Sequence, residues 1–173
     1  MPDSFKHTVS TLGGGQANFQ QCWYASYKML HSFHKRSTGS IDDKLAPVIN
    51  LPDAKENGLV DKDFKKASDA LGTAAWSGTK YKAEPGFFDV GLTDGCEAFL
   101  ELLKVGPLWV SRYVEKGSYH IVLATGYNDD GKGYIIYNNP FPGPSNAVEV
   151  TTMTANVFVK HITDAMGSIQ GFR

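Results

Sequence analysis

Residues 16–30 read QANFQQCWYASYKML. From Cys22 onward the apolar positions recur at helical spacing, with Trp23, Tyr27 and Leu30 along one stripe and Ala25, Met29 and Phe33 on its edge. The residues before Cys22 are polar and glycine-rich. That places a thiol in the first turn of a helix, where unpaired backbone N–H groups and the helix dipole favour a thiolate. Such a thiol is either a nucleophile or a small buried hydrophobe. The choice depends on whether the chain supplies a base and a group to orient that base.

The chain has 173 residues, 42% hydrophobic and 20% charged. This suits one domain, residues 1–173, with a core large enough to need no disulfide staple. A net charge of −1, from 17 basic and 18 acidic residues, gives no electrostatic case for nucleic acid or for an anionic membrane as partner. No apolar run approaches the roughly 18 residues of a membrane span. The N-terminus lacks the apolar stretch of a secretory signal peptide, so the expectation is synthesis in the cytoplasm, with any secretion by a non-classical or specialised route. The two cysteines, Cys22 and Cys96, are expected as free thiols, since pairing would consume the best nucleophile.

Along the chain, Gly13-Gly14-Gly15 reads as a turn in a flexible lead-in and lacks the pattern of a phosphate loop. His31 and His34 close the first helix; two histidines without a third ligand at motif spacing do not make a metal site. A short helix is expected over Asp42–Val48, with Pro47 and Pro52 preventing one continuous helix. Asp61 opens a second amphipathic helix through Phe64, Ala67 and Leu71, and Gly72 stops it. Residues 73–84 read as short strands or extended loop. Thr93 caps a third helix reaching about Lys104, in which Cys96 packs as a small hydrophobe. Strands follow at 108–113, 120–127 and 133–137, the last two joined by Asn128-Asp129-Asp130-Gly131-Lys132, a hairpin signal. Residues 147–151 and 157–162 read as two more strands. The order gives an α+β fold: a helical part over about 16–105, with the Cys22 helix central, packed on a predominantly antiparallel sheet over about 107–163.

A cysteine hydrolase needs a nucleophile, an imidazole base-acid, a polar group to orient the imidazole, and donors for the oxyanion. Cys22 begins a helix and His120 begins a strand. Asn139 closes the next strand, where the hairpin brings its amide back toward His120. Asn138 is its rival, and because neighbours on a strand face opposite ways, only one of them is well aimed. Gln16 and the Cys22 backbone N–H are candidate oxyanion donors. The plainer readings are a buried structural cysteine, a satisfied strand histidine and an Asn-Pro turn.

Gln16 followed six residues later by Cys22-Trp23, Gly106 to Val110, His120 to Gly126, and Asn139-Pro140 resemble a papain-like cysteine protease. The likeness is greatest to compact bacterial types, the AvrRpt2-type effectors and C39-like peptidases. The resemblance implies that Cys22 attacks a carbonyl, His120 transfers protons, Asn139 orients His120 and Gln16 helps hold the oxyanion, with no cofactor. The compact family usually has aspartate where this chain has Asn139, whereas papain itself uses asparagine. The implied partner is a protein or peptide substrate; the alternatives are a peptidoglycan peptide and a catalytically silent papain-like interaction protein.

Overall fold

The computed structural model describes residues 3–11, 17–82, 91–114, 118–140 and 148–173. The helices are α1 (Cys22–Phe33), α2 (Ser40–Leu45), α3 (Leu51–Asn57), α4 (Asp61–Leu71), α5 (Asp94–Val105) and α6 (Ala155–Lys160). The strands are β1 (Phe5–Lys6), β2 (Ala74–Ser77), β3 (Leu108–Tyr113), β4 (Tyr119–Asn128), β5 (Tyr134–Pro140), β6 (Val148–Thr154) and β7 (Met166–Gly171).

The strands form one sheet in the order β2-β7-β3-β4-β5-β6, with β1 paired to β4 where β3 has ended. Every strand pairing is antiparallel. Most of the sheet follows the helices in sequence, so the fold is α+β, in keeping with the resemblance to papain-like proteases. Alternation along β3 and β4 sends Trp109, Ile121 and Leu123 into a core with α1, α3 and α4. Leu108, Val110, Val122 and Ala124 enter a second core with α5 and α6. The sheet is therefore covered on both faces, and α5 lies on the side away from α1.

Local chemistry accounts for the helix ends. The Thr93 hydroxyl accepts from the Cys96 N–H at 3.3 Å, capping α5. Gly72 ends α4 at φ 72°, the left-handed conformation of a helix C-cap. Asp61 stands one residue inside α4, behind the N-cap Val60, where its carboxylate still meets the positive helix end. Pro52 falls in the first turn of α3, where its missing N–H breaks no helical bond.

Two expectations are corrected. Residues 157–162 are not a strand. Ala155, Phe158 and Val159 are buried at i, i+3 and i+4, so the segment makes α6, and Ile162 retains only an isolated bridge to Arg112. The last strand is instead β7, whose Gly-Ser-Ile-Gln-Gly run carries little β signal. It inserts between β2 and β3 and is buried over residues 167–171. The short helix expected at 42–48 forms at Ser40–Leu45. The turn expected at Gly13–Gly15 lies outside the described residues.

Aromatic packing fixes α1 against the sheet. Trp109 is fully buried, stacks on Tyr27 at 5.2 Å and donates its indole N–H to the Trp23 carbonyl at 3.0 Å. Trp23 in turn donates to the Ala54 carbonyl of α3 at 3.1 Å. Each large side chain buried this way contributes roughly 1.5–3 kcal/mol, and both indole N–H groups are satisfied. The start of α1 is thereby held against β4.

Candidate active site

A 3-10 turn over Phe19–Gln21 leads directly into α1, with the Asn18 side chain accepting from the Gln20 N–H at 2.9 Å. Cys22 follows as the first helical residue and is 6% exposed. Its sulfur approaches the backbone of Ile121, the residue after His120 on β4. Ser26, one turn on, donates to the Ile121 carbonyl at 3.4 Å and holds the same two elements together.

The helix terminus alone predicts a thiolate, but burial reverses the sign. Loss of solvent pushes the Cys22 thiol up, and hydrogen bonds from the backbone of Ile121, Trp23 and Cys22 itself oppose this only in part. Burial also lowers the His120 pKa; contact with Asn139 opposes it, and the Arg112 charge adds to it. Both shifts favour the neutral forms, thiol and imidazole.

His120 Nε2 lies 2.6 Å from Asn139 Oδ1. An amide oxygen only accepts, so the bond puts the ring proton on Nε2 and leaves Nδ1 as a proton acceptor. Asn138 points the other way: it is buried, and its amide reaches the Met29 sulfur of α1 at 3.7 Å. The alternation of β5 thus separates the two asparagines. Gln16 lies outside the described residues. Gln20, which the sequence analysis did not single out, lines the same cleft as Cys22.

That cleft, about 220 Å³, is bordered by Cys22, His120, Phe19, Gln20 and Tyr119. A second cavity of about 470 Å³ holds His120 and Asn139 together with Arg112, Tyr137 and Met153. Among the described residues His120 is the one that borders both. Arg112 escaped the sequence reading because its position opposite His120 exists only once β3 and β4 are in register. Among the described residues no group of three His, Cys, Asp or Glu side chains could hold a metal ion. No helix is long and apolar enough to cross a membrane, again among the described residues.

A thiol at a helix start, set against the strand that carries a tautomerically fixed imidazole, has the parts for acyl transfer. The family model described as papain-like cysteine protease AvrRpt2 matches residues 6–160. The chain belongs to that family. Its members' chemistry is hydrolysis by a cysteine nucleophile, with protein or peptide as the general substrate class, and the terms hydrolase, thiol protease and bacterial effector apply to the AvrRpt2 family as a whole. The matched span takes in α1 with Cys22, His120 on β4, Asn139 on β5 and all of α6, and stops before β7. Searches of curated proteins and of solved structures give no significant match.

Proposed function

We propose that the protein cleaves peptide bonds through a Cys22–His120–Asn139 triad and a thioester intermediate. The thiol proton passes to His120 Nδ1 as the sulfur adds to the substrate carbonyl, which suits two partners that rest neutral. The carbonyl electron pair moves to oxygen, where the Cys22 backbone N–H and the Gln16 side chain serve as donors. Collapse of this adduct breaks the C–N bond, and the imidazolium gives its proton to the departing amine. Water, deprotonated by His120, then attacks the thioester and releases the acid and the free thiol. Asn139 keeps the ring in the tautomer that each step requires.

The observation that carries this reading is the cleft shared by Cys22 and His120, with the far ring nitrogen of His120 held at 2.6 Å by Asn139. The test is labelling with a peptide carrying a thiol-reactive carbonyl, read by peptide mass spectrometry. An adduct at Cys22 that disappears in His120→Ala supports the assignment; equal modification of Cys96 overturns it. Profiling against a peptide library and purified peptidoglycan separates a protease from a cell-wall amidase. Adduct formation without turnover of either would mark a silent scaffold.

A further inference from the structure

Arg112 of β3 is the direct cross-strand partner of His120 and is 8% exposed. Among the described residues it enters no ion pair. Its Nη2 donates to the Met153 sulfur at 2.8 Å, a weak acceptor, and its Nε has no hydrogen-bond partner. The guanidinium lies 4.4 Å from the Phe158 ring centroid and 5.6 Å from that of Tyr137. Those rings attract the cation through their faces, and the Tyr137 side chain also hydrogen-bonds it, but the buried Nε–H is left without an acceptor. A buried charge in this state lacks the anion that would offset its desolvation. Beside it is the cavity of about 470 Å³ that also contains His120 and Asn139.

The direction of the chemistry tells which part of a substrate would lie there. After attack by Cys22 the acyl fragment stays on sulfur, while the amine fragment must stand within hydrogen-bond reach of His120 to receive its proton. The Arg112 cavity meets the Cys22 cleft at His120, the residue that hands the amine its proton, so a leaving fragment that runs past His120 would enter it.

We propose that Arg112 is a specificity-determining residue that binds a carboxylate carried by the leaving fragment, within the first two residues after the scissile bond. Resting on the triad reading above, the proposal adds what that reading leaves open, the substrate class. A carboxylate accepts from the free Nε–H and a terminal N–H together, the paired geometry that guanidinium favours. It can come from an acidic side chain or from a free chain terminus.

The test uses the full-length Cys22→Ala protein, labelled with ¹⁵N, and follows the Arg112 Nε–H resonance, assigned by its loss in Arg112→Met. The ligands are three leaving-fragment mimics: Gly-Glu amide, Gly-Gln amide and Gly-Gln with a free terminal carboxylate. A saturable shift with one or both carboxylate ligands and none with Gly-Gln amide supports the proposal, and which of the two acts identifies the source. No shift with either, or equal shifts with all three, overturns it and leaves Arg112 as a residue stacked on Phe158.

Turnover supplies the second readout. Matched peptides with Glu or Gln in the first two leaving positions should differ about tenfold or more in kcat/KM. Arg112→Met should remove that difference, read as the ratio of the two kcat/KM values within the variant, which a uniform loss of rate leaves unchanged. Arg112→Lys, which keeps the charge and loses the paired geometry, should fall between. A carboxylate shift in a protein that cleaves no peptide would sink the protease reading and leave the anion site standing; cleavage with no charge preference would do the reverse.

Discussion

His120 Nε2 and Asn139 Oδ1, on adjacent antiparallel strands, are 2.6 Å apart. That contact raises the His120 pKa against the lowering caused by burial and by Arg112. In the proposed mechanism His120 must be neutral to take the thiol proton, so the acidic limb of the kcat/KM profile should track its pKa. Asn139→Ala removes the raising contact, so the limb should move to lower pH while kcat/KM falls about 10- to 100-fold, part of the ~10²–10⁴ that general acid–base catalysis contributes. Asn139→Asp adds a negative charge that favours imidazolium, so the limb should move to higher pH. Initial rates from pH 5 to 9 for the three proteins check both directions.

The two thiols should differ sharply toward alkylation. Cys96 is fully buried, and burial together with the Glu97 charge pushes its pKa up to about 12. Cys22 is raised too, but it borders the cleft. Iodoacetamide on the folded protein should modify Cys22 at least about tenfold faster than Cys96, and faster as pH rises, since the thiolate is the reacting form. Peptide mass spectrometry over a time course gives both rates. Similar rates would remove Cys22 from its special position.

Gln170 of β7 should be among the costliest polar residues to replace. Its Oε1 accepts from Tyr27 Oη at 2.7 Å and from Thr73 Oγ1 at 3.3 Å, and its Nε2 donates to the carbonyls of Phe64 at 3.1 Å and Gly167 at 2.8 Å. Gln170→Leu leaves several of these groups buried and unpaired, so urea denaturation should show a loss of about 2–4 kcal/mol. Tyr27→Phe should lose only about 1 kcal/mol, because Thr73 still donates to the same oxygen.

Gly167, the second residue of β7, has φ 89°, and a Cβ there would stand 2.9 Å from the Lys65 nitrogen and 2.9 Å from the Phe64 carbonyl carbon. Backbone strain and overpacking act together at this site, so Gly167→Ala should cost about 2–4 kcal/mol in the same assay. A loss under about 1 kcal/mol would mean that α4 and β7 part easily.

Acid should destabilise the protein below neutrality. His31 is fully buried against Phe172, neither ring nitrogen reaches a well-formed hydrogen bond, and burial lowers its pKa against a weaker raising contact with the Ser37 backbone. A lowered folded-state pKa means that the unfolded chain binds the proton first. The stabilising contribution is thus present above the unfolded value of about 6.5 and is lost as pH falls from there toward the folded value, by at most ~1.4 kcal/mol per pH unit per histidine. Urea midpoints at pH 5.5 and 7.5 should differ less in His31→Leu than in the parent.

Local chemistry wrote much of this structure into the chain. The spacing of Trp23, Tyr27 and Leu30 gives α1; Thr93 and Gly72 mark helix ends at their own positions; the five polar residues after Tyr127 turn β4 back into β5. These signals depend on neighbours within a few residues, so they survive without tertiary context. The same locality let Cys22, His120, Asn139 and the rival Asn138 be picked out as residue types at suggestive places. What the sequence could not decide depends on partners far along the chain. The choice between Asn138 and Asn139 follows from the β4–β5 register, since one step along a strand exchanges its faces. Arg112 meets His120 only through β3–β4 pairing, and Gln170 is positioned by contacts spread across α1, α4 and β3. Tertiary structure alone also set the direction of the Cys22 shift: a helix end promised a thiolate, and removal of solvent by α1 and β4 outweighed it. Desolvation is a property of the packed whole, and no stretch of residues read by itself contains it.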